Sequence, residues 1–354
     1  MQGGVACEPP GSYVNARNGG TSTDMRRPIL IFRAALRVLG LALLLAATSA
    51  AAQDKTADTL TPLVSVEWLA QHLREPGLVI LDIRSAIDGG SAETYAQAHI
   101  PTAIHSDYDK AGWRATRNGL PYMLPTVAQL EKLIGELGID EDSRVVVVPA
   151  GVSSTDFGSA ARVYWTLKVV GVTKAAILDG GNAAWAAAQQ PTETGVNTLS
   201  PTIFTATINK SLIADAGDVE QLLASGKGTL VDARPPLYFS GKVKADAASA
   251  YGHIPGAINV DSADFYDDAT NRLRPRAELA AIAARIPDKD PVVNYCNTGH
   301  WSATDWFVLS ELLGRKDVKV YYGSIVDWAS QPSRPISSSR TKWDDIKKFF
   351  GKGS

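Results

Sequence analysis

The chain has 354 residues, 45% of them hydrophobic and 20% charged, with 35 basic residues against 37 acidic ones. That length suits two domains or one large one, and the composition excludes a wholly disordered or collagen-like chain. The near balance of charge gives no global basic excess of the kind that marks a nucleic-acid binder, and the 2 cysteines, Cys7 and Cys296, cannot build a disulfide framework.

Residues 1–24 are polar and glycine-rich, an upstream extension. From Met25 the chain runs through Arg26 and Arg27 into the apolar stretch Val38–Ala47. It then reaches a small-residue end with Ala50 and Ala52 at A-x-A spacing. This order is that of a secretory signal peptide, and the apolar run is shorter than the roughly 20 residues a spanning helix needs. The expectation is a mature chain starting near Gln53, exported, and periplasmic in a bacterium with two membranes. No stable membrane association is expected after signal removal. Residues 1–52 therefore stand apart from the fold, and Cys296 is the one cysteine of the mature chain.

The spacing predicts a helix over Val64–Leu73, a strand over Val79–Ile83, a helix over Val127–Leu137 and a strand of four valines over Val145–Val148. Continuous apolar strands of this kind suit parallel sheets covered on both faces. The pattern then repeats. Asp82-x-Arg84 returns as Asp232-x-Arg234, and the string around His99-Ile-Pro101 returns around His253-Ile-Pro255. Val145–Val148 returns as Val292–Tyr295, and Asp179-Gly-Gly181 with Trp185 returns as Tyr322-Gly-Ser324 with Trp328. Four matches in one order mark a duplicated domain. The expected fold class is α/β, with two tandem domains over 60–190 and 213–335, each a mainly parallel sheet flanked by helices. A linker spans 191–212. The tail 336–354 should carry an amphipathic helix through Trp343, Ile346, Phe349 and Phe350.

The strand Val292–Tyr295 delivers Cys296 to the carboxyl end of its sheet, where ligands of open α/β sheets bind. The loop Asn297-Thr-Gly-His-Trp-Ser302 follows, and then a helix over Thr304–Leu313. Successive loop N–H groups can form an anion-binding nest, and the helix N-terminus adds positive charge. Both favour a thiolate, the nucleophilic form of cysteine. The polar Asn297, Thr298, His300 and Ser302 argue for a reactive thiol over an inert buried one. No metal-ligand spacing and no cofactor motif is present.

These strings, in this order over about residues 60–335, resemble the tandem-domain rhodanese sulfurtransferases, the thiosulfate/3-mercaptopyruvate family. Pro121–Pro125 adds a proline-flanked string similar to one in that family's amino-terminal domain. The resemblance implies sulfur transfer through a Cys296 persulfide. The substrates would be a small-molecule sulfur donor, thiosulfate first and 3-mercaptopyruvate second, and a thiol or cyanide acceptor. It also implies substrate contacts at Asn297, Thr298, Gly299, His300, Trp301 and Ser302. Tyr238 stands six residues after Asp232, where the family often carries a substrate-binding arginine. The loop matches neither the basic loop of thiosulfate-preferring members nor the small Gly/Ser loop of mercaptopyruvate enzymes. Thiosulfate binding is therefore expected to be weak and to improve as pH falls through the His300 titration, near pH 6.5 if unperturbed. The alternative is that a basic residue of the first domain already faces Cys296. The first-half loop Pro149–Asp156 has no cysteine, so that half reads as structural. His99 and His253, and the two Asp/Arg pairs, read as architectural. A related phosphatase would need a guanidinium at the position of Ser302, and no arginine or lysine occurs between Cys296 and Leu313. A non-catalytic persulfide carrier or redox-sensing module is the remaining alternative.

Overall fold

The computed structural model describes residues 60–341; the segment 1–52 and the tail helix expected around Trp343–Phe350 lie outside the described residues. In the first half, the strands are β1 Leu63–Val64, β2 Leu78–Asp82, β3 Ile104–His105, the hairpin β4 Ala115–Arg117 and β5 Leu120–Met123, β6 Arg144–Val148 and β7 Ala175–Leu178. In the second they are β8 Ile213–Ala214, β9 Thr229–Asp232, β10 Ile258–Asn259, the hairpin β11 Tyr266–Asp267 and β12 Arg272–Leu273, β13 Val292–Tyr295 and β14 Val318–Tyr321. The first sheet has the order β1-β7-β6-β2-β3 and the second β10-β9-β13-β14-β8. These are one order read from opposite edges, and every pair in both sheets is parallel. The central β6 and β13 are buried throughout their apolar residues, because helices cover both faces of each sheet.

The duplication extends to register. Asp82 pairs with Val148 and Asp232 with Tyr295, so the residues just beyond, Pro149 and Cys296, hold equivalent positions. Helices begin five residues further on, at Ser154 and at Trp301. The Asp/Arg pairs also correspond: Arg84 donates to Asp82 at 2.8 Å and Arg234 to Asp232 at 2.6 Å. His99 and His253 each form a backbone bridge, to Glu193 and Ser337, and each ring Nδ1 meets a carbonyl, that of Tyr95 or Phe239.

Helix boundaries differ from the spacing in two places. The first helix is Val66–His72, because Leu63 and Val64 pair with β7 as an edge strand and Ser65 caps the helix by accepting from the Trp68 N–H. The helix after the cysteine loop starts at Trp301 and continues as a π-helix over Phe307–Leu312. The helix Val127–Glu136 is held at its start by a Thr126/Gln129 capping box.

The Ser154–Val170 helix, buried along almost its whole length, packs against Trp301–Trp306 and so joins the halves. Tyr164 meets Phe307 edge-on at 5.0 Å and its hydroxyl donates to Glu311. The 191–212 segment lies along the first half: the Thr202 N–H donates to the Gly135 carbonyl and the Thr207 N–H to that of Val170. Among the described residues no helix is long and apolar enough to cross a membrane.

Candidate active site

β13 ends with Tyr295, whose ring is buried, and the next residue turns off the sheet edge carrying the Cys296 thiol. Cys296 is 1% exposed and free. Its loop is fixed from below by Ser324. That hydroxyl accepts the N–H groups of Cys296 and Gly299, both at 3.0 Å, and donates to the Tyr321 carbonyl at 2.8 Å. Ser324 has φ +52°, a left-handed conformation unusual for a residue with a side chain. It holds the place of Gly181 in the first half: Asn182 and Ala183 donate to the carbonyls of Pro149 and Ala150 as Ile325 and Val326 do to those of Cys296 and Asn297. Gly299, at φ +72°, has no room for a Cβ, which would run into the Arg162 guanidinium and the Tyr322 carbonyl.

Among the described residues, the amide N–H groups of Asn297, Thr298, His300, Trp301 and Ser302 have no hydrogen-bond acceptor. They belong to the loop that carries the thiol, and such amides can receive an anion. The Ser302 hydroxyl points at the Cys296 sulfur, 3.7 Å away. The first-half loop has the same path with a different content. There the Asp156 carboxylate accepts the N–H groups of Ala150 at 3.1 Å, Gly151 at 2.5 Å and Val152 at 3.1 Å. That loop is closed by its own anion, and Pro149 replaces the cysteine.

A family model described as the rhodanese-like domain matches residues 65–188 and again 215–331. The chain belongs to the rhodanese family. It is 29% identical over 280 residues to the 3-mercaptopyruvate sulfurtransferase of Escherichia coli K12, covering 77% of this chain and 96% of that one. It is 31% identical over 321 residues to the mitochondrial thiosulfate/3-mercaptopyruvate sulfurtransferase 1 of Arabidopsis thaliana, covering 82% of each. Among solved structures, SseA from Escherichia coli, which has the rhodanese fold of 3-mercaptopyruvate sulfotransferases, aligns with TM-score 0.65 and 30% identity, over 75% of this chain and 98% of that one.

Within this rhodanese, the residues singled out in the sequence divide by position. Cys296, Thr298, Gly299 and Ser302 form the loop itself. The Asn297 side chain is turned away from solvent, and its Oδ1 accepts from Arg234 at 3.4 Å. Tyr238, on the short Pro236–Phe239 helix, stands edge-on to Trp301 at 5.9 Å, and the Trp301 indole donates to the Thr155 hydroxyl of the first half.

His300 departs from expectation. It is 6% exposed and wedged into the first half. Its Nε2 lies 2.8 Å from the Thr155 carbonyl and its Nδ1 2.8 Å from the Tyr108 hydroxyl. A carbonyl only accepts, so Nε2 carries the hydrogen and Nδ1 accepts from Tyr108. Gly158 makes room for the ring, since a Cβ there would sit 2.9 Å from Nε2. Burial first, and then the Arg114 charge, push the His300 pKa down to about 3. The expected titration near pH 6.5 is therefore corrected: His300 is a neutral interface residue.

The alternative, a basic residue from the first domain, is present. Arg162, on the Ser154–Val170 helix and fully buried, donates from Nη1 to the Gly299 carbonyl at 2.8 Å and to that of Thr298 at 3.4 Å. Neither Arg162 nor Ser324 was assigned a site role from the sequence. Ser324 was visible there only as the residue that breaks the Gly181 echo. Arg162 had no local signal, because its contact depends on how the two halves dock. Among the described residues, no group of three or more His, Cys, Asp or Glu side chains could hold a metal ion.

Proposed function

We propose that this rhodanese moves sulfane sulfur from thiosulfate, or a related anionic donor, to a thiophilic acceptor such as cyanide or a thiol, through a persulfide on Cys296. The observation that carries this reading is the cysteine loop, in which the Asn297 and Thr298 N–H groups have no acceptor among the described residues while those of their counterparts, Ala150 and Gly151, are taken by Asp156. In the first step the Cys296 thiolate attacks the outer sulfur of thiosulfate. A new S–S bond forms, the old one breaks, and its electron pair leaves on sulfite. In the second step cyanide attacks the outer sulfur of the persulfide, thiocyanate leaves, and the thiolate returns. Charge balances in both steps, and the covalent intermediate predicts ping-pong kinetics. The loop N–H groups would hold the persulfide anion in a site closed to bulk water. A near-buried sulfur suits small donors and acceptors. 3-Mercaptopyruvate is the second donor class, in keeping with the names of the relatives.

The test is a panel of thiosulfate, 3-mercaptopyruvate, polysulfide and thiosulfonates, read by thiocyanate release with cyanide. Steady turnover is expected with at least one anionic donor, and Cys296→Ser, folded by circular dichroism, should fall to the background rate. A single stoichiometric sulfur transfer would point instead to a persulfide carrier. We also propose that the chain is exported and begins near Gln53; fractionation with N-terminal sequencing checks it, and an unprocessed cytosolic chain overturns it.

A further inference from the structure

Ionisable side chains that a charge on the Cys296 sulfur would reach include Tyr108 and Arg162 from the first half and Arg234 and Asp305 from the second. Three of them carry no net charge to the site. Tyr108 is buried and bonded to His300, and burial pushes its hydroxyl pKa up. Arg234 is neutralised by Asp232 in a two-pronged pair, Nε to Oδ1 at 2.8 Å and Nη2 to Oδ2 at 2.6 Å. Asp305 is fully buried with neither carboxyl oxygen partnered, and burial holds its pKa well above the usual carboxylate range, which favours the neutral acid. The neighbouring Arg114 is spent on Asp109 at 2.5 Å.

Arg162 is different. It has no carboxylate partner among the described residues, and its Nε and Nη2 are buried without any acceptor. The face of Trp165, 4.9 Å from the guanidinium carbon, is the other contact that softens its burial. A buried, unpaired guanidinium is costly, although burial lowers its pKa only to about 10, so it remains charged at neutral pH. Its one full hydrogen bond is to the Gly299 carbonyl. The peptide unit is planar and trans, so its C=O and N–H point in opposite directions. Holding the Gly299 oxygen on Arg162 therefore turns the His300 N–H to the other side of the loop, where it has no acceptor. Gly299, at φ +72° and without a side chain, could otherwise let this peptide flip.

We propose that Arg162, carried by the cysteine-free first domain, is the positioning residue that keeps the Cys296 loop in its anion-accepting form, clamping the Gly299–His300 peptide and supplying a buried positive charge, without a carboxylate partner among the described residues, that an anionic sulfur on Cys296 would balance. This rests on the sulfur-transfer reading of the same loop, but its test does not. Cys296 alkylation by iodoacetamide needs no sulfur donor, and peptide-resolved mass spectrometry separates Cys296 from Cys7 in the full chain. Arg162→Gln keeps a donor for Gly299 and removes the charge; Arg162→Lys keeps the charge and loses the fork.

The expected result for Arg162→Gln is alkylation about tenfold slower at neutral pH, with the whole profile displaced to higher pH, as loss of a nearby opposite charge requires. Arg162→Lys should stay within about threefold of wild type in alkylation but lose about tenfold in kcat for thiocyanate formation, since the peptide clamp is gone. An Arg162→Gln profile that overlays the wild type, in a folded protein, overturns the proposal. If Arg162→Gln does not fold, Arg162→Lys decides, and an unchanged kcat overturns it. If wild type turns over no donor while Arg162→Gln still displaces the alkylation profile, the sulfurtransferase reading fails and the role of Arg162 stands.

Discussion

The loops Pro149–Asp156 and Cys296–Ala303 follow the same path off equivalent strands, into helices that begin at equivalent residues. One holds a carboxylate of its own on the Ala150, Gly151 and Val152 N–H groups; in the other the counterparts Asn297 and Thr298 have no acceptor among the described residues and Gly299 donates to Ser324. The backbone path alone therefore does not decide what such a loop holds. What separates the two is the occupant of the nest, and the occupant is chosen at single positions: Pro149 or Cys296, Asp156 or Ala303, Gly181 or Ser324.

Filling the open loop tests this most severely. Ala303 is the counterpart of Asp156 and is fully buried. Ala303→Asp should carry a carboxylate onto the loop amides and cut thiocyanate formation at least about a hundredfold, the scale of losing an oxyanion-type donor set. Cys296 alkylation should fall with it, and a folded variant with full activity would break the comparison. Next comes Ser324→Gly, which gives the second loop the residue of the first. It removes the acceptor of two amides and relieves a left-handed serine. These effects offset in stability, so the melting temperature should move little while kcat drops about tenfold.

The closed loop can be tested through its carboxylate. Burial raises the Asp156 pKa to about 6 against the pull of three amide donors. A raised carboxyl pKa gives stability that is present below the unfolded value of 3.8 and lost as pH rises through the folded value of about 6. Asp156→Asn does not titrate. Urea unfolding from pH 4 to pH 8 should therefore show wild type losing on the order of 2 kcal/mol relative to the variant across that window. The smallest effect concerns His300. Being neutral and buried, it should leave no inflection between pH 5 and 8 in the thiosulfate rate profile. His300→Gln should change the height of that profile and not its shape.

The features legible in the sequence were those that repeat or that lie next to each other. The tandem strands, the Asp/Arg pairs and the strand–cysteine–loop–helix order depend on local pattern and duplicate, and the sheets follow them. Two other features depend on contacts between the halves. His300 reads as a titrating loop residue until Thr155, Tyr108 and Gly158 close around it. Arg162 sits 134 positions before Cys296 in a helix that reads as ordinary core. Within the second half, Arg234 reaches the Asn297 side chain over 63 positions, a contact that local pattern does not announce. Ser324 falls within a recognised echo, but its left-handed backbone, and with it the aim of its hydroxyl, has no signature in residue type alone.

The lack of space at Gly181 bears on how the two copies diverged. A Cβ there would collide with the Pro149 carbonyl, so the first loop could not accept the hydroxyl that Ser324 lends the second. Restoring a cysteine at position 149 would meet a nest still filled by Asp156 and still lacking that hydroxyl. Positions 149, 156 and 181 thus separate the first loop from the second, and what the first half brings to the cysteine loop is what it presents across the contact: Arg162 on the Gly299 carbonyl and the Thr155 carbonyl on His300.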